Sequence, residues 1–237
     1  MQRMLITPSR SQKLYFRYLD SIHAALVEGL VETGIPGELI VGRTAHPWTF
    51  ACLGWTRRGG QRFVSKLIVS SPSEIISEGL KKIDPANIKK ASVNGDLIDL
   101  HGANIHHDNH IPLHGTQELC VVFPGRFALA LPKKICSKTK YARSSSDIDF
   151  TEAIKAGLDR RAGRTLDLQI TIDPLSLAIE GTAIPVALRK SGKQRILVPT
   201  FNMPVTLRGN PDDIMWAFHA GFGAKTRQGL GCPTLTK

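Results

Sequence analysis

Two sets of residues in this sequence have types and spacings that can do chemistry. The first is the stretch HAGFGAKTRQGLGC, His219 to Cys232, which holds Gly221, Gly223, Gly229 and Gly231 together with Lys225 and Arg227. Gly221 and Gly223 fall where a helical pattern ends, a position at which φ > 0 is cheap only for glycine. Gly229 and Gly231 allow another backbone or a ligand to come close. The N–H groups of such a loop, with Lys225 and Arg227, form a concave cationic surface suited to phosphate. The same residues also suit a helix cap and a tight turn that docks a following strand, and the two uses are compatible. The second set is the histidines, eight in all. An imidazole titrates near neutral pH, so it can give or take a proton there.

Position sorts the histidines. His23 sits one residue past the apolar position Ile22, at the edge of a buried stripe. His46 lies in a loop just before PWTF. Taken alone, these are a helix-surface histidine and a loop histidine beside proline. His101, His106, His107, His110 and His114 cluster with Asp108. Zinc sites use such residues, but this spacing fits no standard motif and no cysteine pair accompanies it. A metalloenzyme built on that cluster stays open as the lesser alternative, and no metal or cofactor is expected.

The chain has 237 residues, 42% of them hydrophobic, and a formal net charge of +11. That is enough apolar content for a real core. The positive balance favours an anionic partner, nucleic acid before membrane, because no apolar run approaches the roughly 20 residues of a spanning helix. The start MQRMLITPSRSQKLYF has no apolar leader segment. Cys52, Cys120, Cys136 and Cys232 are scattered without a CxxC, which fits reduced thiols and a cytoplasmic location.

The elements that must position these groups follow from periodicity. Residues 3–7 read as a strand. Tyr15, Leu19, Ile22, Leu26 and Leu30 form one apolar helical stripe, ended by Gly34 and Pro36. Residues 47–55 and 62–71 read as two strands around TRRGGQ, residues 72–83 as a second helix, and IKKASVNGDLIDL as a fourth strand. The second half repeats this order. ELCVVFPGRFALAL is a strand or hairpin, residues 149–163 are a helix, and RTLDLQITI and RILVPTFNMPVTLRG are strands. A last helix follows, with Asn210 as N-cap and Pro211 at N1, and LGCPTL closes the sheet. The predicted fold is α+β, two tandem ferredoxin-like (RRM-like) β-α-β-β-α-β units. The units span residues 1–110 and 111–237, with NIHHDNHIPLHG as the linkage.

Tandem units, a basic balance and GFGAKTRQGLG after a helix resemble the CRISPR-associated repeat-processing endoribonucleases, the Cas6 family of the repeat-associated RNA-binding superfamily. VPTFNMPVTLRGNPDDIMWAFHAGFGAKTRQGLGC is similar to that family's last strand, helix and loop. SIHAALVEGL sits where the family has its first helix, and HPWTFACLGW resembles its aromatic strand. The resemblance runs through nearly the whole chain and is weakest over residues 85–165.

The resemblance implies metal-independent cleavage of precursor CRISPR RNA within the repeat. The RNA's own 2′-hydroxyl attacks, leaving a 2′,3′-cyclic phosphate (or 3′-phosphate) and a 5′-hydroxyl. It implies His23 and His46 as a catalytic pair, with the base and the acid unassigned. Arg43, Gly221, Gly223, Lys225 and Arg227 are then RNA-binding residues. So are Lys133, Lys134, Lys138, Lys140 and Arg143 of a basic loop, with Arg160, Arg161 and Arg164 as further candidates. His219 is a packed or RNA-near histidine. Tyr15, Phe16, Trp48 and Trp55 can stack bases, although core packing is the ordinary role for aromatics at such spacings. The implied partners are CRISPR repeat RNA and other subunits of a CRISPR effector complex, with no membrane. A non-catalytic RNA-binding subunit of such a complex is the alternative.

Overall fold

The computed structural model describes residues 1–9, 14–56, 62–91, 97–108, 116–132 and 140–235. In the first half these are β1 (Gln2–Thr7), β2 (Tyr15–Phe16), α1 (Leu19–Val31), the short α2 (Gly37–Ile40), β3 (Thr49–Thr56), β4 (Arg62–Ser71), α3 (Glu74–Lys82), β5 (Lys89–Ala91), β6 (Leu97–Asp99) and β7 (Asn104–His107). Strands β7, β1, β4 and β3 lie side by side in that order, all antiparallel, and β2 extends the edge of β4 beyond β1. The fourth, first, third and second strands of a β-α-β-β-α-β unit therefore follow one another across the sheet, as a ferredoxin-like unit requires.

The second half contains β8 (Glu118–Val122), α4 (Phe150–Ala162), β9 (Leu168–Thr171), α5 (Pro174–Glu180), β10 (Ile184–Ser191), β11 (Gln194–Thr200), β12 (Val205–Gly209), α6 (Pro211–Ala220) and β13 (Thr234–Leu235). Its sheet runs β13, β8, β12, β9, again antiparallel and in the same relative order. The tandem α+β fold is thus present. The two sheets end and begin at His107 and Glu118, and we propose that the chain divides into two units between them.

Helix boundaries obey local rules. The Asp149 carboxylate accepts from the Glu152 N–H to start α4, and Gly163 ends it at φ +68°. The Asn210 side chain accepts from the Asp212 N–H to start α6, with Pro211 at N1. α1 begins later than its apolar stripe predicts. Tyr15 and Phe16 pair with Phe63 and Arg62 as a strand instead, because Phe16 buries its ring completely in the core.

Two further expectations are corrected. The IKKASVNGDLIDL segment is not the fourth strand: among the described residues, Lys89–Ala91 and Leu97–Asp99 pair with each other and with no other strand. The fourth strand is β7, the NIHH read as linkage, which pairs with β1. As an edge strand with alternating exposed and half-buried residues it carries little apolar signal. The strand reading of residues 195–209 is also split. β11 pairs with β10 in a separate hairpin, and β12 alone enters the sheet. That hairpin buries Val186, Leu188 and Val198 in the core of the first half, so it fastens the second half onto the first. No helix among the described residues is long and apolar enough to cross a membrane.

Candidate active site

The glycine-rich loop is a docked structure. Gly221 ends α6 at φ +77°, and its N–H donates to Ala217. A Cβ on Gly231 would lie 1.9 Å from the Phe222 oxygen, and one on Gly223 would lie 2.2 Å from the Ala128 oxygen. Between them, Thr226–Gln228 forms one tight helical turn that Lys225 enters in the left-handed conformation, φ +63°. The Thr49 hydroxyl of β3 reaches this turn, donating to the Thr226 oxygen at 3.3 Å. The N–H groups of Gly221, Phe222, Ala224, Gln228, Gly229, Leu230 and Gly231 all donate within the chain. The expected backbone cradle for phosphate is therefore mostly used internally. Both polar groups of the buried Gly221 are taken, because its carbonyl accepts from Arg161 at 2.6 Å. Gly223 likewise gives its carbonyl to Arg161 at 3.2 Å. These glycines shape the loop, and the charge it presents comes from side chains.

The loop meets α1 at His23. The Nδ1 of His23 lies 2.5 Å from the Arg227 carbonyl oxygen. A carbonyl can only accept, so Nδ1 carries the proton and, in the neutral ring, Nε2 holds the lone pair. The imidazole stacks on Trp48, with centroids 5.6 Å apart and planes 8° from parallel. Burial pushes the His23 pKa below its ordinary value, while the bond to Arg227 and the charge of Asp20 act the other way. The ring is thus biased towards the neutral form with Nε2 ready to accept a proton.

One residue ties this histidine to the neighbouring loop. The Arg227 guanidinium donates to the carbonyls of Ile40, at 3.4 Å, and Gly42, at 3.1 Å. Ile40 also accepts from the Trp48 indole N–H at 2.9 Å. The α2 loop, Trp48 and the glycine loop therefore form one hydrogen-bonded block around His23. His46 follows on that loop, its N–H held by the Leu39 oxygen at 2.9 Å. It is half-buried, two residues before Trp48. Arg43 lies on the same loop, exposed.

Lys225 is exposed, and partial burial of its ammonium with the charges of Arg189 and Arg227 pushes its pKa down. Arg189, in the basic stretch RKSGKQR, thus joins this charged surface, although it carries no motif of its own. Lys140 and Arg143 are exposed on the segment that pairs with Ala128–Leu131, which in turn meets Ala224. Lys133, Lys134 and Lys138 lie outside the described residues.

The arginines at the end of α4 divide by role. Arg161 is drawn inward onto the Gly221 and Gly223 carbonyls, and burial beside Arg160 and Arg227 pushes its pKa down to about 10. Arg164 pairs with Asp213 at 2.5 Å. Sequence reading offered both for RNA contact; the structure gives both partners within the chain. His219 is packed: its Nδ1 lies 2.8 Å from the Ser70 hydroxyl oxygen, and burial pushes its pKa down to about 3. Phe16 and Trp48 are fully buried and belong to the core; the side chains of Tyr15 and Trp55 lie outside the described residues. His107 accepts from the Gln2 amide at 3.0 Å, and no group of three or more metal-ligating side chains occurs among the described residues. His110 and His114 lie outside them.

Comparison with known proteins agrees with this architecture. Residues 131–235 match the family model described as CRISPR associated protein Cas6, C-terminal. A solved RAMP protein that binds different RNA substrates has a TM-score of 0.70 at 18% identity, with all of both chains covered. A Cas6-related protein of Pyrococcus furiosus has a TM-score of 0.68 at 17% identity, covering 100% of this chain and 98% of the other. A Cas6 product complex has a TM-score of 0.54 at 17% identity, covering 99% and 98%. No curated protein sequence matches the chain. Residues 131–235 thus match the Cas6 C-terminal model, and the chain as a whole is similar in fold to solved Cas6 proteins.

Proposed function

We propose that this protein binds CRISPR repeat RNA in the cytoplasm and cleaves it within the repeat, without metal, to give guide RNA. The observation that carries the proposal is the hydrogen bond from His23 Nδ1 to the Arg227 carbonyl. It leaves Nε2 as a base on a ring that burial keeps neutral. The base takes the proton of the 2′-hydroxyl. The 2′-oxygen then bonds to phosphorus as the bond to the 5′-oxygen breaks, and His46 gives its proton to the departing oxygen. The products are a 2′,3′-cyclic phosphate and a 5′-hydroxyl. Lys225 and Arg43 offset the charge that builds on the phosphoryl oxygens, and Arg189, Lys140 and Arg143 extend the cationic track for the backbone. Arg227 acts chiefly through its two carbonyl contacts and its own main-chain oxygen.

A second reading is a non-catalytic RNA-binding subunit of a CRISPR effector complex, favoured by the likeness to a RAMP protein that binds different RNA substrates. Labelled repeat RNA in EDTA separates the two. Cleavage at one position supports the enzyme, and tight binding without cleavage supports the subunit.

A further inference from the structure

Trp48 immediately precedes β3 and Phe50 lies two residues on, so the two side chains share one face of the strand. Their rings stack with centroids 6.0 Å apart, and both are fully buried. The glycine loop lies down on this pair: a Cβ on Gly229 would fall 2.8 Å from the Phe50 ring. The missing side chain lets the loop come close enough for its Arg227 carbonyl to meet His23. The plane of Trp48 is fixed, because its Nε1–H donates to the Ile40 oxygen at 2.9 Å. His23 lies face to face on that plane, with centroids 5.6 Å apart and planes 8° from parallel. The hydrogen bond at Nδ1 alone would leave the imidazole free to turn about that bond. The indole sets its plane, and with it the direction of Nε2.

We infer that Trp48 is a positioning residue for His23: it aims Nε2, and its π face holds the positive charge that the imidazole gains on taking the 2′-hydroxyl proton. The inference rests on the reading of His23 as the base. In that step the proton leaves the 2′-oxygen for Nε2, the oxygen keeps the electron pair and bonds to phosphorus, and the Nδ1–H stays on the Arg227 carbonyl. The imidazolium so formed has a carbonyl at its edge and an indole against its face. A cation within about 6 Å of a ring centroid is attracted by the ring's electron-rich face, most strongly for tryptophan. The other influences on the ring are mixed. Burial opposes the cation most; the Arg227 carbonyl and Asp20, one turn earlier on α1, favour it; the Arg227 guanidinium opposes it. Arg43 and His46 stand on the loop leading to Trp48, and Arg189 of β10 bears on Lys225. Trp48 thus stabilises the protonated base in a half-buried site without placing a second carboxylate beside the RNA phosphates.

The test replaces Trp48, in the full chain, by tryptophans carrying an increasing number of ring fluorines. Fluorine withdraws electron density from the ring face while the shape, the burial and the Nε1–H remain, so the fold is kept. The His23 pKa is read by NMR on the RNA-free protein, its signal assigned by its loss in His23→Gln. The expected result is a pKa that falls with each fluorine, a loss of proton affinity of about three- to tenfold across the series. The acidic limb of single-turnover cleavage should move to lower pH by the same factor. A purely structural role would not move the pKa, so a pKa that stays or rises across the series would overturn the inference. Trp48→Phe mixes a weaker face with loss of the bond to Ile40, so the fluorinated series decides. The pKa readout needs no cleavage. A graded fall in a protein that does not cut repeat RNA, or whose acidic limb stays put, keeps the hold of Trp48 on the ring and removes His23 as the base. Cleavage by a protein whose His23 pKa ignores fluorine keeps the base and removes the role of Trp48.

Discussion

His23 and Arg227 are 204 residues apart in the chain, yet the imidazole Nδ1 of one lies 2.5 Å from the main-chain oxygen of the other. The contact joins the first helix of one ferredoxin-like unit to the glycine loop of the next. It predicts a single neutral tautomer. Long-range nitrogen–proton NMR spectra at neutral pH should show Nδ1 protonated and Nε2 bare. The reverse pattern would mean that His23 is a hydrogen-bond donor towards RNA and not a base.

The pH dependence of cleavage follows from the same ring. Burial lowers the His23 pKa, so the basic form persists below the ordinary histidine range. The acidic limb of the single-turnover rate should fall at a pH below about 6.5. His23→Ala should abolish that limb and slow cleavage by roughly 10²- to 10⁴-fold while binding stays intact. His46→Ala should slow cleavage by a similar factor. Matched losses of rate and affinity would assign either residue to RNA positioning.

Stability should also respond to acid through His219, whose pKa is pushed down to about 3. Between about pH 6.5 and 3 the unfolded chain holds one proton more than the folded chain. Stability is therefore full above the unfolded value and declines as pH falls, by up to ~1.4 kcal/mol per pH unit from this group. Urea midpoints measured from pH 7 to 4 should decline less steeply in His219→Gln. An unchanged slope would mean that the buried ring is not the titrating group.

The glycine loop should prove to be a docking element as much as a binding one. Gly231→Ala would place a Cβ 1.9 Å from the Phe222 oxygen at φ +71°. It should destabilise the protein by about 1–3 kcal/mol or more, visible as a lowered Tm. An unaltered Tm would show that the loop is not pinned as described.

Lys225 and Arg227 are expected to differ. Lys225→Ala should weaken RNA binding and reduce the salt slope by about 0.7 to 0.9, one phosphate contact. Arg227→Ala, which removes the contacts to Ile40 and Gly42, should lower Tm and cleavage rate with a smaller change in salt slope. Equal slopes for the two variants would place both side chains on phosphate.

Much of this arrangement is legible in the sequence, and what is not has physical reasons. The apolar positions Leu19, Ile22, Leu26 and Leu30 of α1, the Asn210 cap and the terminal glycines state their elements locally. β7 does not: a polar edge strand is specified by its partner β1, not by its own alternation. The β10–β11 hairpin is hidden because its apolar residues Val186, Leu188 and Val198 serve the core of the other half. The sequence marks His23 only as an edge residue of a helix. Its tautomer depends on a carbonyl that comes close only after both halves have folded. Arg161 reads as one more surface cation, since no local pattern shows that it turns inward onto two glycine carbonyls.

The most direct test of the account is single-turnover cleavage, in EDTA, of the CRISPR repeat RNA from the same genome, with the product ends mapped. The account predicts one cut, a 5′-hydroxyl on the downstream fragment, a cyclic or 3′-phosphate on the upstream one, and no reaction when the nucleotide before the cut carries a 2′-deoxy sugar. Cleavage that requires a divalent metal, or that proceeds at full rate on the 2′-deoxy RNA, would contradict it.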